Sequence, residues 1–299
     1  MMTTPIFRGT CTALVTPFDE SGMLDFAALD RLLERQLEAG VEALVIGGTT
    51  GEAATLEHTE RMALIAHCVR FCQGKTRLIA GTGGNDTRRA AETARAAAAL
   101  GAEALLCVTP YYNRCTQAGL LAHYETIAAA TPLPILLYNV PARTNVRIEP
   151  ETCAALAQLP TVAGIKEADP DVGRVLKLHA LCGEDFPVYC GCDDRILPFM
   201  ACGALGAVSV LSNLRPGAVK ALTDAALRGE YALALRGQRE QQPLIEALSA
   251  AVNPIPIKAA LALSGLDCGP CRLPLTPAEP ELRERLEEVL RDTGGSSAG

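Results

Sequence analysis

The sequence predicts a (β/α)8 TIM barrel followed by a C-terminal helical appendage, and three observations carry that prediction. Eight short apolar runs rich in β-branched residues recur at intervals of roughly two to three dozen residues. Each is followed by a longer stretch with helical periodicity. Within the runs apolarity is nearly continuous rather than alternating, which is the pattern of parallel strands covered on both faces. Eight such units in 299 residues favour a closed barrel over an open doubly wound sheet. The chain is 49% hydrophobic and 20% charged, enough to bury a full core and unlike a disordered or fibrous sequence.

Taken in order, the strand-like runs are Gly9–Thr16, Ala43–Gly48, Arg77–Thr82, Ala104–Thr109, Pro134–Val140, Val162–Glu167, Pro187–Gly191 and Gly206–Ser212. The first helical stretch, Asp25–Ala39, places Leu29, Leu32, Leu33 and Leu37 on one stripe. Glu57–Phe71 repeats the pattern through Met62, Ile65, Ala66 and Val69. Thr93–Leu100 is alanine-rich and is followed by Gly101, where a helix stop is expected. Asp86-Thr87 and Thr116 read as caps opening the third and fourth helices. The eighth unit ends near Arg228, so residues 1–228 are read as the barrel that carries the active site. Residues 229–299 then form the appendage, with helices over Tyr231–Ala251, Ile255–Ser264 and Ala278–Arg291 and a tail, Thr293–Gly299, expected to be disordered.

Charge narrows the partners. Lys+Arg 27 against Asp+Glu 34 leaves a net charge of −7, which argues against nucleic acid or an anionic membrane. An anionic ligand must therefore meet a local cationic pocket. Twelve cysteines fall well below the density of a small secreted disulfide scaffold, and Cys107, Cys190 and Cys202 lie inside apolar segments. The first residues show no signal-type region, and no apolar run approaches the length of a bilayer span. The expectation is a soluble protein of a reducing cytoplasm.

In such a barrel the working residues sit at the C-terminal ends of strands and in the loops that follow. Those positions hold Gly47-Gly48-Thr49-Thr50-Gly51-Glu52, Thr109-Pro110-Tyr111-Tyr112-Asn113-Arg114, Tyr138-Asn139-Val140-Pro141-Ala142-Arg143-Thr144, Ile165-Lys166-Glu167 and Gly191-Cys192-Asp193-Asp194. Lys166 is the oddity, because an ammonium at the end of an apolar strand is costly to desolvate unless it is paired, neutral or used covalently. Glu167 is the obvious partner, but neighbours on a strand face opposite ways. A lysine amine attacks a carbonyl only when neutral, and an unperturbed one is neutral in roughly one molecule in 2,500 at pH 7. An apolar interior raises that fraction, and the product is a Schiff base whose iminium stabilises an adjacent carbanion. Tyr138, one strand away, could move the protons, although a lone strand tyrosine is more often packing. The Gly-Thr-Thr-Gly loop could cradle a carboxylate or be an ordinary turn. Arg143 could hold a second carboxylate or be merely solvated.

Together GTTGE, YYN, YNVPART and GIKEA, in this order along nearly the whole chain, resemble the dihydrodipicolinate synthase / N-acetylneuraminate lyase family of class I aldolases. The resemblance implies a Schiff base between Lys166 and pyruvate, with no cofactor and no metal. It implies that Thr49 and Thr50 bind the pyruvate carboxylate and that Gly191 and Val208 line the pocket through their backbones. Tyr138, Thr49 and Tyr112 would form a proton relay, Tyr112 reaching across a dimer interface into the neighbouring subunit's site within a homotetramer built from two such dimers. Within the family, an arginine at the place of Arg143 marks the members that condense pyruvate with aspartate semialdehyde. The implied product is 4-hydroxy-tetrahydrodipicolinate, at the entry to diaminopimelate and lysine. Members inhibited by lysine bind it near the second and third βα loops. His58, Asn85 and Tyr111 resemble that site, but Ala53, Arg61 and Arg89 depart from it, which implies weak or absent feedback.

Other motifs carry less. Cys268-Gly269-Pro270-Cys271 has the spacing of a redox pair but not the strand-to-helix setting that motif needs. Cys68/Cys72, Cys190/Cys192 and the four histidines form no metal-ligand set, and Gly81-Thr82-Gly83-Gly84 does not complete a dinucleotide loop. Two rival functions remain: a sialic-acid or keto-sugar-acid lyase that has no need of Arg143, and a non-catalytic metabolite-binding regulator that has no need of the full set.

Overall fold

The computed structural model describes residues 4–294, with side chains to 292, so the tail Thr293–Gly299, expected to be disordered, lies largely outside the described residues. Eight parallel strands close into a barrel in chain order: β1 (Gly9–Ala13), β2 (Ala43–Ile46), β3 (Arg77–Gly81), β4 (Ala104–Val108), β5 (Ile135–Asn139), β6 (Val162–Glu167), β7 (Val188–Cys190) and β8 (Gly206–Ser209), the last pairing with the first. Most strands end one to three residues before the apolar runs do. Thr16, Gly48, Thr82, Thr109, Val140, Gly191 and Ser212 have left the ladder and begin the loops at the C-terminal rim. Closure needs close backbone approach there. A Cβ on Gly81 would stand 2.2 Å from the Gly47 carbonyl oxygen, so only glycine fits.

Two apolar layers follow from strand periodicity. Cys11, Val45, Ile79, Leu106, Leu136, Tyr138, Tyr189 and Val208 fill the barrel interior. The alternate residues, such as Leu44, Leu105, Leu137 and Ile165, pack outward against the helices. This double burial explains the uninterrupted apolar runs.

Helix ends obey local chemistry. Asp25 caps Phe26–Ala39 by accepting from the Ala28 N–H, Asp86 caps Thr87–Ala99 and Thr116 caps Gln117–Ala128. The third helix thus begins at Thr87, a full turn and more before the alanine-rich core of Thr93–Leu100. One stripe differs from its sequence reading. Helix His58–Cys72 buries Leu64, Ile65, Cys68 and Cys72, while Met62, Ala66 and Val69 are only half-buried. Cysteine acts here as a small hydrophobe, which rotates the buried face. Helices Tyr231–Leu248, Ile255–Leu263 and Pro280–Gly294 complete the described chain. Ala234, Leu244, Ile257, Leu261 and Leu286 from them join the same outer core as the barrel helices. No helix of the described residues is long and apolar enough to cross a membrane.

Candidate active site

Lys166 lies on the inner face of β6, 5% exposed, with Tyr138 of β5 and Tyr189 of β7 as its register partners. Its Nζ stands 4.3 Å from the centre of the Tyr138 ring. Tyr189 is tied elsewhere: its hydroxyl donates to the Phe7 carbonyl at 2.8 Å and its ring stacks on Phe7. Gly191 leaves room for the lysine stem, since a Cβ there would lie 3.1 Å from Lys166 Cε and 2.9 Å from Ala168 Cβ.

The pairing of Lys166 with Glu167 does not occur. Glu167 faces outward, where its Oε2 lies 3.1 Å from Arg174 Nε and Asn139 donates to both carboxylate oxygens. The Asp169 N–H donates to its Oε1 at 2.8 Å. Burial pushes the Glu167 carboxyl up, against the pull of Arg174. Among the described residues Lys166 makes no ion pair. The acid that senses it is Asp193, just beyond β7. Its Oδ2 accepts from the Val210 and Leu211 N–H groups at 3.0 and 2.8 Å. Burial raises its carboxyl, and the charge of Lys166 is one of the influences opposing that. Asp193 lies in the Gly191-Cys192-Asp193-Asp194 loop, where no sequence signal sets it apart from Asp194.

Above Tyr138 opens a cavity of about 300 Å³, walled by Gly47, Gly48, Thr49, Tyr138, Arg143 and Asn253 among others. Its wall is mostly apolar carbon, with a few convergent polar groups, the usual make-up of a small-molecule site. Arg143 is exposed on the short helix Pro141–Thr144 and makes no ion pair with another described residue. Thr144, beside it, is buried and accepts from the Thr109 hydroxyl at 2.9 Å, pinning the arginine-bearing turn to the end of β4. Thr50 is buried behind Thr49, its hydroxyl accepting from Asn253 Nδ2 at 2.9 Å.

The predicted residues therefore divide. Thr49, Tyr138 and Arg143 share the cavity wall, whereas Lys166, Thr50, Gly191 and Val208 are not among its lining residues; Lys166 meets the site through the Tyr138 ring. Val208 belongs to the barrel interior with Tyr138 and Tyr189. Tyr112 is not part of the wall within one chain. It is 94% exposed at φ 69°, an uncommon backbone state for a bulky residue. Asn253, from the far end of the sequence, is a wall residue to which the sequence reading gave no role. Ala53, Arg61 and Tyr111 line the same cavity, and burial draws the Arg61 guanidinium down. Arg89 is exposed beside Asp86 at 3.6 Å.

The cysteines are free thiols. Burial pushes Cys271 up to about 11 and Cys268 up to about 12, away from the reactive thiolate range. No helix begins at Cys271, so the redox setting is missing.

Comparison with known proteins matches residues 6–293 to the Dihydrodipicolinate synthetase family. A 4-hydroxy-tetrahydrodipicolinate synthase from an Exiguobacterium species is 48% identical over 95% of this chain and 98% of its own length. The crystal structure of dihydrodipicolinate synthase from Thermotoga maritima superposes with a TM-score of 0.94 at 42% identity, covering 97% of this chain and 99% of that one. A structure described as the first monomeric dihydrodipicolinate synthase variant also superposes at 0.94, with 41% identity and 97% of each chain covered.

Proposed function

The chain belongs to the dihydrodipicolinate synthetase family, and we propose that its chemistry runs through Lys166. It is a lyase that condenses pyruvate with L-aspartate 4-semialdehyde to give 4-hydroxy-tetrahydrodipicolinate, the first committed step of diaminopimelate and lysine biosynthesis. The observation that carries the role of Lys166 is its isolation: a buried amine that makes no ion pair among the described residues, set against Tyr138, which lines a cavity together with Thr49 and Arg143.

In this reading the Lys166 amine adds to the pyruvate keto carbon and water leaves, giving the iminium. Loss of a methyl proton gives the enamine, whose carbon attacks the aldehyde of aspartate semialdehyde. The substrate's own amine then adds to the imine carbon and expels the Lys166 amine, closing the ring. Tyr138 hands protons on and off at the carbinolamine and aldol steps, with Thr49 and with Tyr112 of a neighbouring subunit as its relay. Thr49 and Thr50 hold the pyruvate carboxylate, Arg143 clamps the carboxylate of the aldehyde, and the backbones of Gly191 and Val208 line the pocket. No cofactor or metal takes part. The working assembly is a homotetramer, a dimer of dimers, in the cytoplasm. The exposed, strained Tyr112 supports a subunit contact at that point.

Borohydride reduction in the presence of pyruvate, followed by peptide mass spectrometry, tests the assignment. A pyruvate-derived adduct on Lys166 is expected, together with turnover of aspartate semialdehyde in a coupled assay. An adduct elsewhere, or none, overturns it.

A further inference from the structure

Beside the reaction cavity, a buried ion pair joins two distant parts of the chain. Glu52 ends the GTTGE turn. Its side chain is 1% exposed, and its Oε1 lies 2.7 Å from the Nζ of Lys258, which is 4% exposed. The other carboxylate oxygen accepts from the Arg272 backbone N–H at 2.8 Å. Lys258 also donates to the Pro270 carbonyl at 3.0 Å. The ring of Phe18 receives both cations, Lys258 at 4.5 Å and Arg272 at 4.1 Å. A second tether is Asn253, whose Nδ2 donates to the Thr50 hydroxyl at 2.9 Å. Asn253, Lys258 and Arg272 all come from the chain beyond helix Tyr231–Leu248, and all bear on one short turn.

That turn is held in a conformation it would not choose. Glu52 has φ 54° and ψ 39°, a left-handed state costing a residue with a Cβ roughly 1–2 kcal/mol. In this state its N–H donates to the Thr49 carbonyl at 3.1 Å and closes the turn. A hydroxyl has one proton to give and can accept as well. By donating to the Thr50 oxygen, Asn253 leaves the hydroxyl proton of Thr50 free for another acceptor.

We propose that Asn253 and Lys258 are positioning residues for the Thr49–Thr50 pair. Asn253 sets the direction of the Thr50 hydroxyl, and Lys258 anchors Glu52 so that the turn presents both threonines to the carboxylate of the keto acid. The proposal rests on the reading above that these threonines receive that carboxylate. It makes the C-terminal helical segment a working part of the keto-acid subsite.

The test is a kinetic split on purified full-length variants. Asn253→Ala is expected to raise the KM for pyruvate about tenfold, the loss of one hydrogen bond, while the KM for aspartate semialdehyde stays within about twofold and the melting temperature barely moves. Lys258→Met is expected to raise the pyruvate KM further and Lys258→Arg, which keeps the charge, to recover part of it. Removing one partner of a buried pair can unfold the protein, so Asn253→Ala carries the decision if Lys258→Met is insoluble. A folded Asn253→Ala enzyme with native pyruvate KM overturns the proposal, as does a loss shared equally by both substrates. Borohydride trapping on the native enzyme separates the two readings. An adduct on Lys166 with an unmoved pyruvate KM in the variants removes the positioning proposal alone. The absence of any adduct removes the underlying reading and this one with it.

Discussion

Gly191→Ala probes how tightly the barrel holds Lys166. The added Cβ would meet Lys166 Cε at 3.1 Å, Ala168 Cβ at 2.9 Å and the Glu167 carbonyl oxygen at 3.2 Å. Non-bonded carbons are comfortable at about 3.5–4.0 Å, so the lysine stem must retreat by roughly half an ångström or more. The backbone carbonyl and Ala168 cannot yield, because both belong to the strand end that frames the site. Overpacking of this size costs about 1–3 kcal/mol of stability. Misplacement of a reacting group on this scale costs up to about 10²-fold in rate. The expected result is a folded enzyme with a modestly lowered melting temperature, and with both kcat and the rate of borohydride-trapped adduct formation reduced by one to two orders of magnitude. Steady-state kinetics, trapping and a thermal melt read these three quantities. Native kcat and native trapping rate in a folded Gly191→Ala enzyme would refute the claim that this glycine makes space for the nucleophile.

Arg143→Ala is expected to raise the KM for aspartate semialdehyde about 10- to 100-fold, the worth of a charge-assisted clamp, and to leave pyruvate trapping unchanged; weakened trapping would count against the role. Buried His123, its Nδ1 2.9 Å from the Thr87 hydroxyl, is held down to about 4 by burial. The unfolded chain therefore binds a proton that the fold does not between about pH 6.5 and 4, and stability falls as pH drops through that window. The contribution is on the order of 3 kcal/mol at most, and denaturant melts of His123→Leu should show a shallower acid slope than the native protein. Lysine is expected to inhibit weakly or not at all, because Arg89 and Arg61 bring cations to the second and third βα loops; an inhibition constant below about 1 mM would refute this. Glu60, kept low by its hydrogen bonds to Arg272, contributes stability above its ordinary range that is lost on acidification. Glu60→Gln should remove that part of the acid sensitivity, read from melts below about pH 4.5.

The barrel was legible because its cause is local and repeated. A strand covered on both faces is apolar at most positions, as β2 (ALVI) and β4 (ALLCV) are throughout. The same rule made Lys166 conspicuous, since a charge in such a run needs a reason. Strand alternation also places Lys166 and Glu167 on opposite faces. Helix starts at Asp25, Asp86 and Thr116 were readable because a cap is satisfied within three residues of itself.

What the tertiary structure decided were contacts made by closure. Arg174 is near Glu167 in sequence, yet only the return of the following helix onto the strand brings their charges together in the outer layer. The buried face of helix His58–Cys72 depended on which neighbours met its cysteines. Asn253 and Lys258 reach the GTTGE turn from some two hundred residues away. Nothing in local periodicity encodes such a meeting, because it is set by where the last helices settle on the barrel rim. Local patterning marked the strand that carries Lys166 and the loops around it, because those signals lie within a few residues of one another; the packed molecule set what holds those loops still, because those contacts join segments far apart in the chain.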